Sequence, residues 1–172
     1  KHEPVAGKTA VISGSGNVAI YACEKAQQLG MKVVAMSDSA GYVYDEKGID
    51  LAVVKQIKEV ERGRIKAYAE RVSGAVYTEG CKGIWTIPCD VALPCATQNE
   101  LDVEDAVMIV ANNVRYYVEA ANMPATAEAL RLLRLSPKIL TAGSKASGSG
   151  GVVVSALEMV QNSLRYSWTR QE

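Results

Sequence analysis

The feature that most constrains this chain is an alternation of short Val- and Ile-rich runs with longer segments of helical period. Lys8–Ser13 reads as a buried strand, followed by Gly14-Ser15-Gly16-Asn17 and a helix over Val18–Leu29 that Gly30 stops. Lys32–Ser37 is the next strand, Asp38–Gly48 a turn-rich link, and Leu51 to about Val72 a helical stretch. Strands are expected at Ala75–Thr78, Cys89–Leu93, Arg115–Ala120 and Lys138–Ala142. Helices are expected at Leu101–Val110, at Pro124–Leu135 with Pro in its first turn, and at Val152–Trp168. Such an alternation predicts an α/β fold: a doubly wound, mostly parallel Rossmann-type sheet with right-handed crossovers and helices on both faces. At 172 residues the chain is expected to form one domain, with 1–6 as a lead-in and Ser147–Gly151 as a Gly/Ser linker-like loop before the last helix.

Composition removes whole classes of chemistry. The single histidine, His2, stands at the N-terminal end, so a Ser-His-Asp or Cys-His mechanism inside the fold is not expected. Cys23, Cys81, Cys89 and Cys95 contain no CxxC pair, and their spacings of 58, 8 and 6 match no zinc-ligand pattern. Buried thiols in a reducing cytoplasm are the better reading, and Cys89 and Cys95 lack the neighbouring base or cation that would make them nucleophiles. Nineteen basic residues balance nineteen acidic ones, which argues against binding nucleic acid through bulk basicity. No apolar run approaches the roughly 18 residues of a membrane span. The absence of Phe beside eight Tyr has no physical account.

The first turn carries the sharpest signal. Gly14-Ser15-Gly16-Asn17-Val18-Ala19, between a strand and a helix, is a G-x-G-x-x-A fingerprint. Gly14 permits the tight turn, Gly16 lets the backbone approach a pyrophosphate, and Ala19 lets helix and strand pack closely. The diphosphate would rest on the free N–H groups and positive dipole end of the helix. Asp38 follows Gly14 by 24 residues, near the expected distance of about 20 for the acidic residue at the end of the second strand. A carboxylate there accepts from a ribose 2′-OH and favours NAD. Its flanking hydroxyls, Ser37 and Ser39, could instead donate to a 2′-phosphate if a cation such as Lys58 offset the charge, so the residues alone leave NAD and NADP open.

Two later loops lie at carboxyl ends of strands, where ligands bind in such sheets. Pro94-Cys95-Ala96-Thr97-Gln98-Asn99-Glu100 and Glu119-Ala120-Ala121-Asn122-Met123-Pro124 offer amide and hydroxyl groups that suit a nicotinamide carboxamide and ribose. Helix capping by Asn99 and Asn122 is the alternative. Lys145 either reaches a ligand or solvates its loop. A cofactor-binding half without a catalytic half is what these residues amount to.

Taken together, SGSGNVA (Ser13–Ala19), SDSAGYVYDEKG (Ser37–Gly48), LPCATQNELD (Leu93–Asp102), EAANMP (Glu119–Pro124) and SALEMVQNS (Ser155–Ser163) with Trp168 closely resemble the cofactor-binding domain of the hexameric glutamate dehydrogenases. The resemblance runs from about Gly7 to Trp168. Leucine, valine and phenylalanine dehydrogenases share the first turn, but ATQNE with ANMP is similar to the glutamate branch. The resemblance implies oxidative deamination of L-glutamate to 2-oxoglutarate and ammonia, with a separate N-terminal domain supplying the catalytic lysine and aspartate. It implies that Asn17 and Val18 belong to the pyrophosphate-binding backbone and that Ala96, Thr97, Gln98 and Asn122 line the nicotinamide half. Ser155 is implied to help hold the glutamate side-chain carboxylate. Ser37-Asp38-Ser39 with Lys58 is similar to NADP-using members, so NADP is the first expectation and NAD the alternative. The parent is implied to be a homohexamer, with this piece alone a monomer or weak dimer and inactive. Two departures stand out: Ala120 replaces the family's Gly, and Gly148-Ser149 replaces its usual Asn-Ala, where the Asn contacts the cofactor. A stand-alone nucleotide-binding or scaffold module is the competing reading. A methyltransferase-like sheet is a third, and it leaves the ATQNE and ANMP loops unexplained.

Overall fold

The computed structural model describes residues 3–169, so His2 lies outside the described residues. The strands are β1 (Thr9–Ser13), β2 (Lys32–Ser37), β3 (Gly41–Tyr44), β4 (Val76–Glu79), β5 (Val91–Pro94), β6 (Tyr116–Val118) and β7 (Leu140–Ala142). They form one sheet in the order β4-β3-β2-β1-β5-β6-β7. Pairing is parallel from β2 through β1, β5 and β6 to β7, and antiparallel at β2–β3 and β3–β4. The expected doubly wound α/β sheet is therefore present, with an antiparallel extension on one side. Strand order reverses at β1, which lies between β2 and β5 and opens a crevice at their carboxyl ends.

Two apolar layers sandwich the sheet, and strand alternation assigns residues to them. Ala10 and Ile12 of β1 join one cluster, while Val11 between them joins the other. On the first face α1 (Asn17–Gln28) buries Ala19, Ile20, Cys23 and Ala26, a stripe at helical spacing. That face also receives α2 (Leu51–Lys55) through Val54, and α3 (Lys66–Arg71) through Tyr68. The second face is covered by α4 (Val103–Ala111), α5 (Ala127–Leu135) and a 3₁₀ helix at Cys81–Thr86 that inserts Ile84 and Trp85.

Several expectations change. The link after Asp38 contains β3, whose Val43 faces one cluster while Tyr42 and Tyr44 pack against the other. The long helix expected over Leu51–Val72 is two: α2 runs into a π-helical turn at Gln56–Val60, then Arg62 takes φ 53° and Gly63 breaks the path before α3. Pro124 does not open α5; Thr126 is its N-cap, accepting the Ala129 N–H at 3.3 Å. Asp102 caps α4 in a reciprocal capping box with Asp105. Neither Asn99 nor Asn122 is an N-cap, and Asn99 sits in the left-handed region at φ 53°. The Ser147–Gly151 stretch is no loose linker. It ends α6 (Ser144–Ser147), turns at Gly148 and opens α7 (Ser149–Leu164). The last helix thus begins earlier than Val152 and ends at Leu164, where Arg165 adopts φ 50°, short of Trp168.

Candidate functional site at the strand crossover

The crevice is built by three loops held together by side chains of the strands they leave. Gly14 stands at φ +87°, and a Cβ there would lie 3.1 Å from the Ala96 Cα, so only glycine lets the first turn meet the β5–α4 loop. The Gly14 N–H donates to Ser37 Oγ at 2.8 Å, tying the turn to the end of β2. The Cys95 N–H donates to Ser13 Oγ at 2.9 Å and draws the β5 end in from the other side. Gly16 is the N-cap of α1 and offers no side chain to the first turn, and a Cβ on it would meet nothing within 4 Å. An uncapped helix start facing open space is what a diphosphate requires. Gly14, Ser15, Gly16, Asn17 and Val18 all lie on this turn, with Ser15 buried and Val18 about half exposed at 48%.

Beside the turn lies a cavity of about 360 Å³, lined on one side by Ser37, Asp38 and Ser39 and on the other by Ala96 and Thr97, with Ile84 and Trp85 among its walls. Asp38 is among the lining residues, and both oxygens of its carboxylate accept backbone N–H groups. Oδ1 accepts from the Ala40 and Gly41 N–H groups at 2.8 and 3.3 Å, and Oδ2 accepts from the Ile65 N–H at 2.9 Å. The Lys58 Nζ donates to the Gly63 carbonyl at 2.9 Å. The cation beside the Ser-Asp-Ser triplet is Arg64, whose Nη1 donates to Ser39 Oγ at 2.9 Å. Sequence reasoning missed Arg64, although the Arg62-Gly63-Arg64 run breaking a helical pattern marked the spot.

On the opposite side Ala96, Thr97, Gln98 and Asn122 are exposed at the ends of β5 and β6. Their loops are stitched: Ala120 and Ala121 N–H groups donate to the Pro94 carbonyl, and the Asn99 N–H donates to the Met123 carbonyl. Glu100 folds back under its loop, accepting the Ala96 N–H at 3.0 Å, and burial raises its carboxyl above the usual range. Glu119, 3% exposed, accepts from the Ser144 N–H at 2.8 Å and from the Tyr117 hydroxyl at 3.3 Å, anchoring α6 to the end of β6. Lys145 lines a separate hollow with Arg134 and Met123. Ser155 is exposed on α7, in a shallow hollow with Glu158, Met159 and Asn162, and lines none of the cavity beside the turn.

Burial and the nearby Asp90 push the Cys89 thiol up to about 12, and burial pushes Cys95 higher still. Both stay protonated at neutral pH and lack nucleophilic character. Among the described residues no group of three or more His, Cys, Asp or Glu side chains could hold a metal ion, and no helix is long and apolar enough to cross a membrane.

The Glutamate/Leucine/Phenylalanine/Valine dehydrogenase family matches residues 1–172. The NADP-specific glutamate dehydrogenase of Haemophilus influenzae is 50% identical over 175 residues, covering 100% of this chain and 38% of that protein. The NAD-specific glutamate dehydrogenase of Clostridium symbiosum is 45% identical over 178 residues, covering 100% of this chain and 39% of that protein. The crystal structure of Plasmodium falciparum glutamate dehydrogenase superposes with a TM-score of 0.89 at 43% identity, covering 98% of this chain and 36% of that one. The chain thus spans less than two-fifths of these relatives. Sequence and fold together establish that the chain belongs to the glutamate, leucine, phenylalanine and valine dehydrogenase family.

Proposed function

We propose that this chain is the dinucleotide-binding domain of a glutamate dehydrogenase, with NADP as its preferred cofactor and NAD as the alternative. The observation that carries the reading is the uncapped start of α1 beneath Gly14 and Gly16, opening into the crevice between β2, β1 and β5. Backbone N–H groups at Ser15, Gly16, Asn17 and Val18 cradle the diphosphate. Arg64 and Ser39 offer a guanidinium and a hydroxyl at the adenosine ribose end, which suits a 2′-phosphate. Asp38 spends its carboxylate on three N–H groups, so it holds the loop in shape more than it reads a ribose hydroxyl. Ala96, Thr97, Gln98 and Asn122 orient the nicotinamide. The cofactor supplies the hydride acceptor for oxidative deamination of L-glutamate to 2-oxoglutarate and ammonia.

The rest of the activity lies outside this chain. The catalytic lysine and aspartate, and most of the glutamate pocket, belong to a second domain, and Ser155 on α7 meets the glutamate side-chain carboxylate when the two close. α7 supports this division. Val152, Val153, Val154, Leu157, Met159 and Val160 are 45–74% exposed, and the helix buries none of its residues. In a stand-alone module that apolar helix is a liability; in a two-domain enzyme it is an interface. The parent is a cytoplasmic homohexamer, a reading that the four free cysteines suit.

Calorimetric titration of the chain with NADPH and NADH tests the reading. The expected result is saturable binding of both, tighter for NADPH, with no glutamate-dependent NADPH formation until the second domain is added. Absence of saturable binding of either nucleotide overturns it.

A further inference from the structure

We propose that Lys82 is a specificity-determining residue of the dinucleotide site: a cation held by Asp102 at the rim of the cavity beside the first turn, where it contacts the phosphate-bearing adenosine half. The proposal rests on the dinucleotide reading above and adds to it a residue from the 3₁₀ helix.

Among the described residues three charged side chains line that cavity: Asp38, Glu100 and Lys82. The two carboxylates are turned into the protein. Asp38 is engaged by the N–H groups of Ala40, Gly41 and Ile65, and Glu100 by those of Ala96 and Thr97 together with the Ser13 hydroxyl. Both carboxylates therefore have hydrogen-bond donors within the protein without any help from a ligand. Lys82 differs, because its side chain is 57% exposed and its ionic partners among the described residues, Asp102 and Asp105, lie outside the cavity lining.

Those partners fix its position and leave it donors to spare. Its Nζ pairs with Asp102 Oδ2 and stands 3.7 Å from Asp105 Oδ2. The ammonium carries three donors, so the Asp102 contact uses one and leaves others free to turn toward the cavity. Asp102 does not depend on Lys82 for its own role, since its Oδ1 accepts the Glu104 and Asp105 N–H groups that start α4. The ion pair is exposed on both sides and contributes little to stability by itself. Its consequence is geometric: it ties the 3₁₀ helix to the start of α4 and holds a cation on the lining of the same cavity as Ser39, which Arg64 engages. A dianionic phosphate bound in this cavity beside Ser39 would find the Lys82 ammonium on the same lining.

The discriminating probes are 2′,5′-ADP and 5′-AMP, which differ by the 2′-phosphate, titrated into the chain by calorimetry. Lys82→Gln is expected to weaken 2′,5′-ADP by about fivefold or more while 5′-AMP changes by less than about twofold. Lys82→Arg restores the charge and is expected to recover most of the loss. Asp102→Asn keeps an N-cap and removes the anchoring charge, so it weakens 2′,5′-ADP part of the way. Circular dichroism shows that each variant is folded. If Lys82→Gln leaves 2′,5′-ADP unchanged, or weakens both probes alike, the assignment is overturned. If the unaltered chain binds neither probe, it is the dinucleotide reading itself that fails.

Discussion

Asp105 illustrates how a single carboxyl ties the stability of this fold to pH. It is 1% exposed; Oδ2 accepts the Asp102 N–H at 3.0 Å, and Oδ1 has no hydrogen-bond partner among the described residues. Burial raises its carboxyl above the ordinary value of 3.8, against the opposing pull of the Asp102 N–H and Lys82. A raised value means that the folded state holds the proton more tightly than the unfolded chain. The stability Asp105 contributes is therefore fully present below the unfolded value and declines as pH rises through the folded one. Asp105→Asn keeps an acceptor for the Asp102 N–H and removes the buried charge. The variant is expected to match or exceed the parent in urea unfolding near pH 7, and to lose that advantage below about pH 4. Equal destabilisation at both pH values would contradict this account. At the same scale, the sequence singled out the Ser37-Asp38-Ser39 triplet but paired it with Lys58, whereas the basic side chain bonded to it is Arg64. Asp38 was legible from its distance to Gly14, whereas Lys58 and Arg64 are both basic residues near a helix break. Only the π-helical turn and Gly63, which direct Lys58 to a carbonyl and Arg64 to Ser39, separate them.

Elements whose apolar period is uninterrupted were legible nearly to the residue. β2 matches its expected span, and α1 starts one residue before its expected start. What escaped were elements stabilised by tertiary contacts. β3 is four residues long and exists because β2 and β4 flank it, and the 3₁₀ helix is held by burying Ile84 and Trp85. The Gly/Ser run looked like a linker because glycine disfavours helices, yet Gly150 and Gly151 are carried inside α7. Caps were misjudged for a related reason: Asn, Asp and Thr are all good caps, and which one is used depends on where the preceding loop turns. The first turn is the element most sensitive to change. Gly14→Ala must place a Cβ at φ +87° and 3.1 Å from Ala96. It is expected to cost about 1–2 kcal/mol in chemical denaturation and to weaken dinucleotide binding at least about tenfold, since the turn moves away from the β5 end. A Gly14→Ala chain that binds NADPH normally would remove the turn from the site.

For the whole molecule, the two apolar clusters close around the sheet without α7, because none of that helix is buried. A chain ending at Gly148 is therefore expected to keep the parent's thermal midpoint within about 2 °C, as few native contacts are lost. Sedimentation at two concentrations is expected to show weak self-association of the full chain and less of the shortened one, since the exposed valines and leucines leave with the helix. A large fall in midpoint would mean that α7 belongs to the core after all. The attachment of α7 has a mechanical consequence. α6 is moored to Glu119 twice, by the Ser144 N–H on the carboxylate and by the Ser147 hydroxyl on the carbonyl. From there Ala120 and Ala121 are moored to Pro94, and Met123 to Asn99. Any load placed on α7 is thus borne by a short chain of hydrogen bonds that ends at Ala96, Thr97, Gln98 and Asn122, and a tug on the helix is felt at the loops that rim the crevice.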